Sequence, residues 1–310
     1  VEPDEGLATL TMTDTDLLTD FETARPRLRG LAYRLLGSLS DAEDAVQECF
    51  LKWQAADRTA IDNPAAWLTT VCTRHCLDVL KSAQRSRVDY VGPWLPEPLA
   101  GTEEGDPEQQ VALASSLSLA FLTLLERLTP KERAAYLLRE IFDQDYAEVA
   151  EIIGATEPNC RKLVSRARDY VKGERPRAVV PVERQQSLLE SFLGALGSGD
   201  TDRLSSLLSE DIRLTTDGGG KAHAIREPLF GVERIVHFFR VIFINNAGQG
   251  RIEMSLLNGA PALIVELDGM VVTALSFDWD DDGRIREILI MRNPDKLERL
   301  QGIYQSVGVL

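Results

Sequence analysis

DYAEVAEIIGATEPNCRKLVSRARDYVK, from Asp145 to Lys172, is the stretch on which the reading of this chain turns. Tyr146, Val149, Ala150 and Ile153 recur at helical spacing, and Gly154 stops that helix. Thr156 caps a second helix from Glu157, in which Cys160, Leu163, Val164 and Ala167 repeat the spacing. Both stripes can face one small core, with Ala150 and Gly154 small where the helices cross. Two such helices joined by about three residues form a helix-turn-helix. That leaves Asn159, Arg161, Lys162, Ser165, Arg166 and Arg168 at or near the free face of the second helix. A helix of this width fits the DNA major groove, where Arg and Lys meet guanine edges and Asn or Ser contact bases or phosphates. The competing reading is a solvated helix that happens to be basic. DNA recognition is preferred because the basic face falls on the second helix of the motif in an acidic protein.

The whole chain has 310 residues with 34 Lys+Arg against 49 Asp+Glu, a formal charge of -15. That excludes a protein that coats nucleic acid by electrostatics alone, so any DNA contact must be local. The acid is concentrated: residues 1–20 carry six acids and no base, and residues 92–118 five acids and no base. Four Cys and three His support neither a disulfide framework nor a His-rich metal centre, and no cofactor is expected. With an acidic N-terminus and no apolar run near the roughly 20 residues that span a bilayer, a cytoplasmic protein without a membrane partner is expected.

Upstream, residues 1–20 read as a frayed acidic leader. Glu22 to Leu36 is an amphipathic helix with Pro26 near its first turns. Ser40 caps the next helix with Glu43 as capping-box partner, and Ala42, Val46, Cys49, Phe50 and Trp53 form its buried stripe. Asn63-Pro64 opens a third helix through Arg85. Cys72 and Cys76 share one face of it and read as buried filler. Arg74, Lys81, Arg85 and Arg87 beside Trp67 suit phosphate and unstacked bases, although Trp67 suits a core equally well. Gly92-Pro93-Trp94-Leu95-Pro96-Glu97-Pro98 cannot continue a helix, so residues 92–109 are a linker that either docks on a neighbour or only spaces. A helical block over 110–172 follows, then a short linker over 173–181.

Residues 182–310 change class. Two helices are followed by a strand candidate ending in Asp217-Gly218-Gly219-Gly220-Lys221, a helix from Gly231, branched runs at Arg251–Leu257, Ala262–Asp268, Val271–Trp279 and Ile285–Met291, then Asn293-Pro294 and a last helix. This is a separate α+β domain. Three glycines permit positive φ and close approach, but GxxxxGK[ST] is absent and the run is no P-loop. Asp217, His223, His237 and Asp268 are the candidates for proton-transfer chemistry, and none has a persuasive partner by spacing. His237 is expected to pack with Phe238 and Phe239 or line a cavity.

Taken together, LAYRLLGSLSDAEDAVQECFLKW, NPAAWLTTVCTRHCLDVLKSAQRS and LTPKERAAYLLREIFDQDYAEVAEIIGATEPNCRKLVSRAR resemble a bacterial extracytoplasmic-function sigma factor. YVGPWLPEP, DGGGK at 217–221 and NPDKL at 293–297 narrow the resemblance to the subgroup with a C-terminal SnoaL-like extension. The fold implied is two all-α domains, a region 2 bundle over 21–91 and a region 4 helix-turn-helix over 110–172, followed by an α+β SnoaL/NTF2-like cone domain over 182–310.

The resemblance implies a non-catalytic specificity subunit whose partners are core RNA polymerase and promoter DNA. Asp44, Gln47 and Glu48 would face polymerase. The stretch from Asp57 to Asn63 with Arg74, Lys81, Arg85 and Arg87 would meet the −10 element, and Asn159, Arg161, Lys162, Ser165, Arg166 and Arg168 the −35 element. Regulatory contacts would join Trp94, Leu95 and Pro96 with Asp217, Gly218, Gly219 and Lys221 and with Asn293, Pro294, Asp295, Lys296 and Leu297, the extension standing in for a separate anti-sigma protein. A small ligand in a C-terminal cavity stays open. The alternatives are a ligand-binding or cyclase/isomerase-like domain fused to an operator-binding regulator, and a conventional repressor or activator that binds operator DNA alone, for which dimer symmetry would be expected.

Overall fold

The computed structural model describes residues 6–57, 60–86, 90–100, 118–174, 180–245 and 250–307. The chain forms two compact units, one of residues 1–86 and 128–170, the other of residues 87–127 and 171–310. No described helix is long and apolar enough to cross a membrane.

The first unit is all helix. α1 (Gly6–Leu36), α2 (Leu39–Ala55) and α3 (Pro64–Ser86) form a bundle. Leu28, Leu31 and Leu35 of α1, Ala42, Cys49 and Trp53 of α2, and Leu68, Cys72 and Cys76 of α3 are all buried in the unit's interior. Each fully buried leucine stabilises by about 2 kcal/mol. Two expectations are corrected here. α1 does not begin at Glu22 but runs in from Gly6, with Pro26 inside it. The burial of Phe21 against Phe50, ring centroids 4.8 Å apart, keeps the helix going upstream of Pro26 despite the missing N–H. The cap of α2 is Ser38, whose hydroxyl accepts from the Asp41 N–H, because Leu39 is already buried and begins the helix.

α5 (Pro130–Tyr136) opens on a capping box in which Thr129 and Glu132 satisfy each other's backbone N–H. It continues into a π-helical turn, Leu137–Ile141, followed by α6 (Tyr146–Ile153) and α7 (Glu157–Glu174). These helices pack on the bundle. Arg133 donates to the Leu35 carbonyl at 2.6 Å and Arg27 to that of Phe142 at 3.2 Å.

The second unit contains α4 (Leu119–Leu125), α8 (Val182–Ser198), α9 (Thr201–Ser206), β1 (Leu208–Asp217), β2 (Leu229–Phe230), α10 (Val232–Asn245), β3 (Arg251–Leu257), β4 (Ala260–Leu267), β5 (Met270–Trp279), β6 (Ile285–Met291) and α11 (Pro294–Val307). The strands form one sheet in the order β2-β1-β6-β5-β4-β3, antiparallel except where β1 and β6 pair in parallel. The closed cone expected of this domain is not formed. The sheet is open, with two-residue β2 at one edge and β3 at the other.

From Ile288 to Met291, β6 is apolar without alternation because both faces of the sheet are covered there. Ile288 and Ile290 join Leu189 and Phe192 of α8 and Ile235 and Phe239 of α10 on one face. Leu289 and Met291 join Leu95, Leu119, Leu297 and Leu300 on the other. The second face is therefore covered by the linker, α4 and α11.

Candidate nucleic-acid interface and linker site

Gly154 ends α6 at φ 61°, and the Ala155 N–H returns to the Ala150 carbonyl at 2.9 Å, which turns the chain into α7. Val149, Ala150, Ile153, Cys160, Val164 and Ala167 are buried, so the apolar stripes of both helices point inward. The six candidate readers on α7 then divide by what already holds them. Arg161 is paired with Glu157 at 2.6 Å and lies over the Tyr146 ring at 4.2 Å, and Arg168 is paired with Glu140 at 2.6 Å. Asn159, Lys162, Ser165 and Arg166 are exposed, and neither Lys162 nor Arg166 has an ion-pair partner among the described residues. Asn159, Lys162 and Arg166 follow i, i+3, i+7 spacing on one face, the geometry needed to follow base edges along a groove.

The region-two candidates are distributed differently. Arg74 spends its guanidinium on the C-terminal carbonyls of α6, at 3.0 Å to Glu151 and 3.3 Å to Ile152. Lys81 is exposed and pairs with Asp78 at 2.8 Å, which lowers the Asp78 carboxyl from its ordinary range. The side chain of Arg85, like Arg87, lies outside the described residues. Trp67 is half-buried against Trp53, with ring centroids 5.5 Å apart. Asn63 caps α3 through its side-chain oxygen, which accepts from the Ala66 N–H. On α2, Asp44 and Gln47 are exposed, and Glu48 is half-buried and pairs with Lys52 at 3.5 Å. Leu51, one turn further along, is a leucine at 51% exposure that the apolar-stripe reading passed over.

The second unit gathers the three short motifs around one carboxylate. Asp217 is fully buried at the end of β1. One oxygen accepts from the Tyr90 hydroxyl at 2.6 Å and the Gly219 N–H at 3.0 Å; the other accepts from the Leu95 N–H at 2.9 Å and Lys296 Nζ at 2.8 Å. Lys296 also donates to the Leu95 carbonyl at 2.5 Å and lies 4.0 Å from the Trp94 ring centroid. Asn293 donates to the Tyr90 oxygen at 3.0 Å and accepts from the Asp295 N–H, while Lys221 and Asp295 pair at 2.6 Å. Pro294 starts α11, and Leu297 is buried in the same cluster as Leu95. Pro96 is buried too.

The glycines have specific work at this site. A Cβ on Gly218 would lie 2.3 Å from the Ala222 carbonyl oxygen, and one on Gly219, at φ 60°, 2.3 Å from Asn293 Nδ2. Tyr90 was not singled out from the sequence. The available signal was an aromatic residue immediately before the Pro-rich linker. Its hydroxyl is pushed well above the usual tyrosine range by burial and by the bond to Asp217.

The proton-transfer candidates do not converge. Asp217 is committed to the linker, and His223 and Asp268 are exposed. His237 is exposed as well, so it neither packs with Phe238 and Phe239 nor lines a cavity; it falls on the solvent side of α10, opposite buried Ile235 and Phe239. The helix-covered face of the sheet is filled by Phe192 edge-on to Phe239 and Phe277, at 5.2 and 5.6 Å, with Trp279 beyond. Cys49, Cys72 and Cys76 are fully buried, and the Cys49 thiol is pushed far up by its bond to Cys72 and by burial, the behaviour of packing groups.

Residues 21–86 match Sigma-70 region 2 and residues 118–170 match Sigma-70, region 4. The chain is 36% identical over 294 residues to the ECF RNA polymerase sigma factor SigJ of Mycobacterium tuberculosis, covering 90% of this chain and 92% of that one. It is also 36% identical over 279 residues to the probable ECF RNA polymerase sigma factor SigI of the same species, covering 89% and 93%. The crystal structure of M. tuberculosis SigJ superposes with a TM-score of 0.73 at 33% identity, over 91% of this chain and 98% of that one. The chain belongs to the extracytoplasmic-function RNA polymerase sigma factors.

Proposed function

We propose that this sigma factor directs core RNA polymerase to promoters through α2, α3 and α7, and that its own C-terminal domain restrains it by gripping the linker between its two sigma regions. In this reading α7 reads the −35 element with Asn159, Lys162, Ser165 and Arg166, while Arg161 and Arg168 are braced by carboxylates and hold the helix in place. Asp44, Gln47 and Glu48 face polymerase. In this reading the functional blocks are 21–91, 110–172 and 182–310. The C-terminal block is a SnoaL-like module used for contact rather than chemistry, since aromatic side chains occupy the face where a substrate would sit.

The observation that carries the restraint is the grip of Asp217 and Lys296 on Leu95. Its sense follows from the first unit, in which α3 and α6 touch through Arg74. Promoter elements centred about 25 base pairs apart lie about 85 Å apart along B-DNA. α7 follows α6 after the short turn at Gly154, so α3 and α7 held this close cannot occupy both elements, and the docked arrangement is the restrained one. Residues 90–100, released and extended, would return about 35 Å of reach to the chain between the regions.

Run-off transcription with purified core polymerase on a promoter fragment library tests both parts. Promoter-specific transcripts that require the protein, lost in K162A/R166A, are expected. Their absence with core binding confirmed would overturn the promoter reading. The restraint reading predicts more transcript from K296M than from wild type, and an unchanged yield would overturn it.

A further inference from the structure

Two hairpin turns of the sheet are the same in design and opposite in environment. Asn258-Gly259 joins β3 to β4, and Asp268-Gly269 joins β4 to β5. Each is a two-residue turn with both φ values positive, 52° and 74° in the first and 53° and 75° in the second, as a type I′ turn requires. Asp268-Gly269 is exposed, as hairpin tips normally are. Asn258 is 2% exposed. The linker is what lies on it. The Asn258 N–H donates to the Leu99 carbonyl at 2.7 Å, its side-chain oxygen accepts from the Leu99 N–H at 3.0 Å, and Ala100 pairs with Leu257 in an antiparallel bridge. A turn needs only the positive φ from Asn, which Gly supplies equally well. The side chain is spent on Leu99.

We propose that Asn258 is a second hold on the linker, a positioning residue separate from the Asp217 site, which fixes the part of the linker leading to α4 and with it the start of region four. The proposal rests on the restraint reading above and extends it. The Asp217 site holds residues 90–95, on the region-two side. Glu97 is 7% exposed and pairs with Arg299 at 3.7 Å, in the middle of the strap. Asn258 holds Leu99, beyond which Ala100 and Leu119 pack against the cluster that contains Leu257. Opening the front hold alone leaves region four tethered to the sheet, so full release requires both.

The test uses the full chain in three forms: N258G, which keeps the turn and deletes the acceptor, D268G at the matched exposed turn, and D217N at the front hold. Hydrogen exchange at the Leu99 and Leu95 amides is read beside transcription with core polymerase. N258G is expected to speed Leu99 exchange by about tenfold or more while leaving Leu95 within about threefold of wild type, and to raise promoter-dependent transcript by about two- to fivefold. D268G is expected to change neither. Unaltered Leu99 exchange in N258G, or the same loosening in D268G, overturns the clasp. Faster Leu99 exchange with unchanged transcript in N258G, while D217N raises transcript, overturns its role in restraint alone. No transcriptional effect from either N258G or D217N overturns the restraint reading on which the proposal stands.

Discussion

Replacing Asp217 with Asn keeps the shape of the side chain and removes its charge. Four donors converge on the carboxylate, and two of them, the Tyr90 hydroxyl and the Leu95 N–H, belong to the segment entering and forming the linker. A hydrogen bond to a charged acceptor contributes about 1.5–3 kcal/mol, roughly twice a neutral one. Asn has one acceptor oxygen, so its NH2 faces either Leu95 and Lys296, donor against donor, or Gly219 and Tyr90, whose hydroxyl already accepts from Asn293 and would have to give up its own donated bond. One linker bond is lost and the other falls to neutral strength, a cost of about 2–4 kcal/mol to the linker-bound state. At about 1.4 kcal/mol per tenfold, the opening equilibrium shifts by roughly 30- to 900-fold. Exchange of the Leu95 amide measures that shift, since this N–H points at Asp217 and belongs to no strand. Amides within β4 and β5 serve as the reference for intact folding. Acceleration of Leu95 by less than about threefold with those references unchanged would refute the energetic argument.

The other sites make their own predictions. K162A and R166A should each lower promoter-dependent transcript by about 5- to 150-fold if each side chain contributes the usual 1–3 kcal/mol of a base contact, measured by run-off assay, and thermal melting should be unchanged because both residues are exposed. L51E should weaken core-polymerase binding in a titration while leaving helix content intact, because Leu51 projects from α2 one turn beyond Gln47 without burial. Glu287 is pushed above its ordinary 4.5 by burial, which the Arg213 pair at 2.6 Å only partly offsets. A raised carboxyl means the folded chain holds more protons than the unfolded one above pH 4.5, so this group's contribution falls as pH rises through that region. Melting profiles should therefore lose stability with rising pH more steeply in wild type than in E287Q, and parallel slopes would contradict the shift.

Much of this was legible in the sequence wherever one local rule sufficed. Gly154 after a helical stripe and the spacing of Cys160, Val164 and Ala167 each fixed an element from its neighbours alone. What was missed depended on partners far along the chain. Pro26 read as lying near the first turns of a helix starting at Glu22, and only the packing of Phe21 on Phe50 shows why the helix continues upstream. Arg74 looked like a phosphate contact, and its engagement with the α6 carbonyls depends on a segment 77 residues away. A two-residue strand such as β2 carries no periodicity to read, and whether a sheet closes is a property of its edges that no strand's own sequence states. The buried faces of β6 were ambiguous for the same reason, since a continuous apolar run does not say what covers each side.

The convergence of the three motifs has a topological cause. In the sheet, β1 and β6 are parallel, with Asp217 opposite Met291 at their shared end. Parallel neighbours finish on the same edge, so the residues following β1 and those following β6 emerge side by side although 74 positions separate Lys221 from Asp295. The Arg292 and Asn293 N–H groups close this corner by donating to the Asp217 carbonyl, at 2.7 and 3.0 Å. That fixes the backbone of Asp217 within the sheet and leaves its side chain free to serve the linker. An antiparallel β1–β6 pair would have placed the glycine run and α11 at opposite ends of the strands, and no short linker could meet both. The linker therefore answers to a corner that exists only when the C-terminal sheet is completely formed, so under the proposed restraint a chain that has not finished folding this domain would not be held.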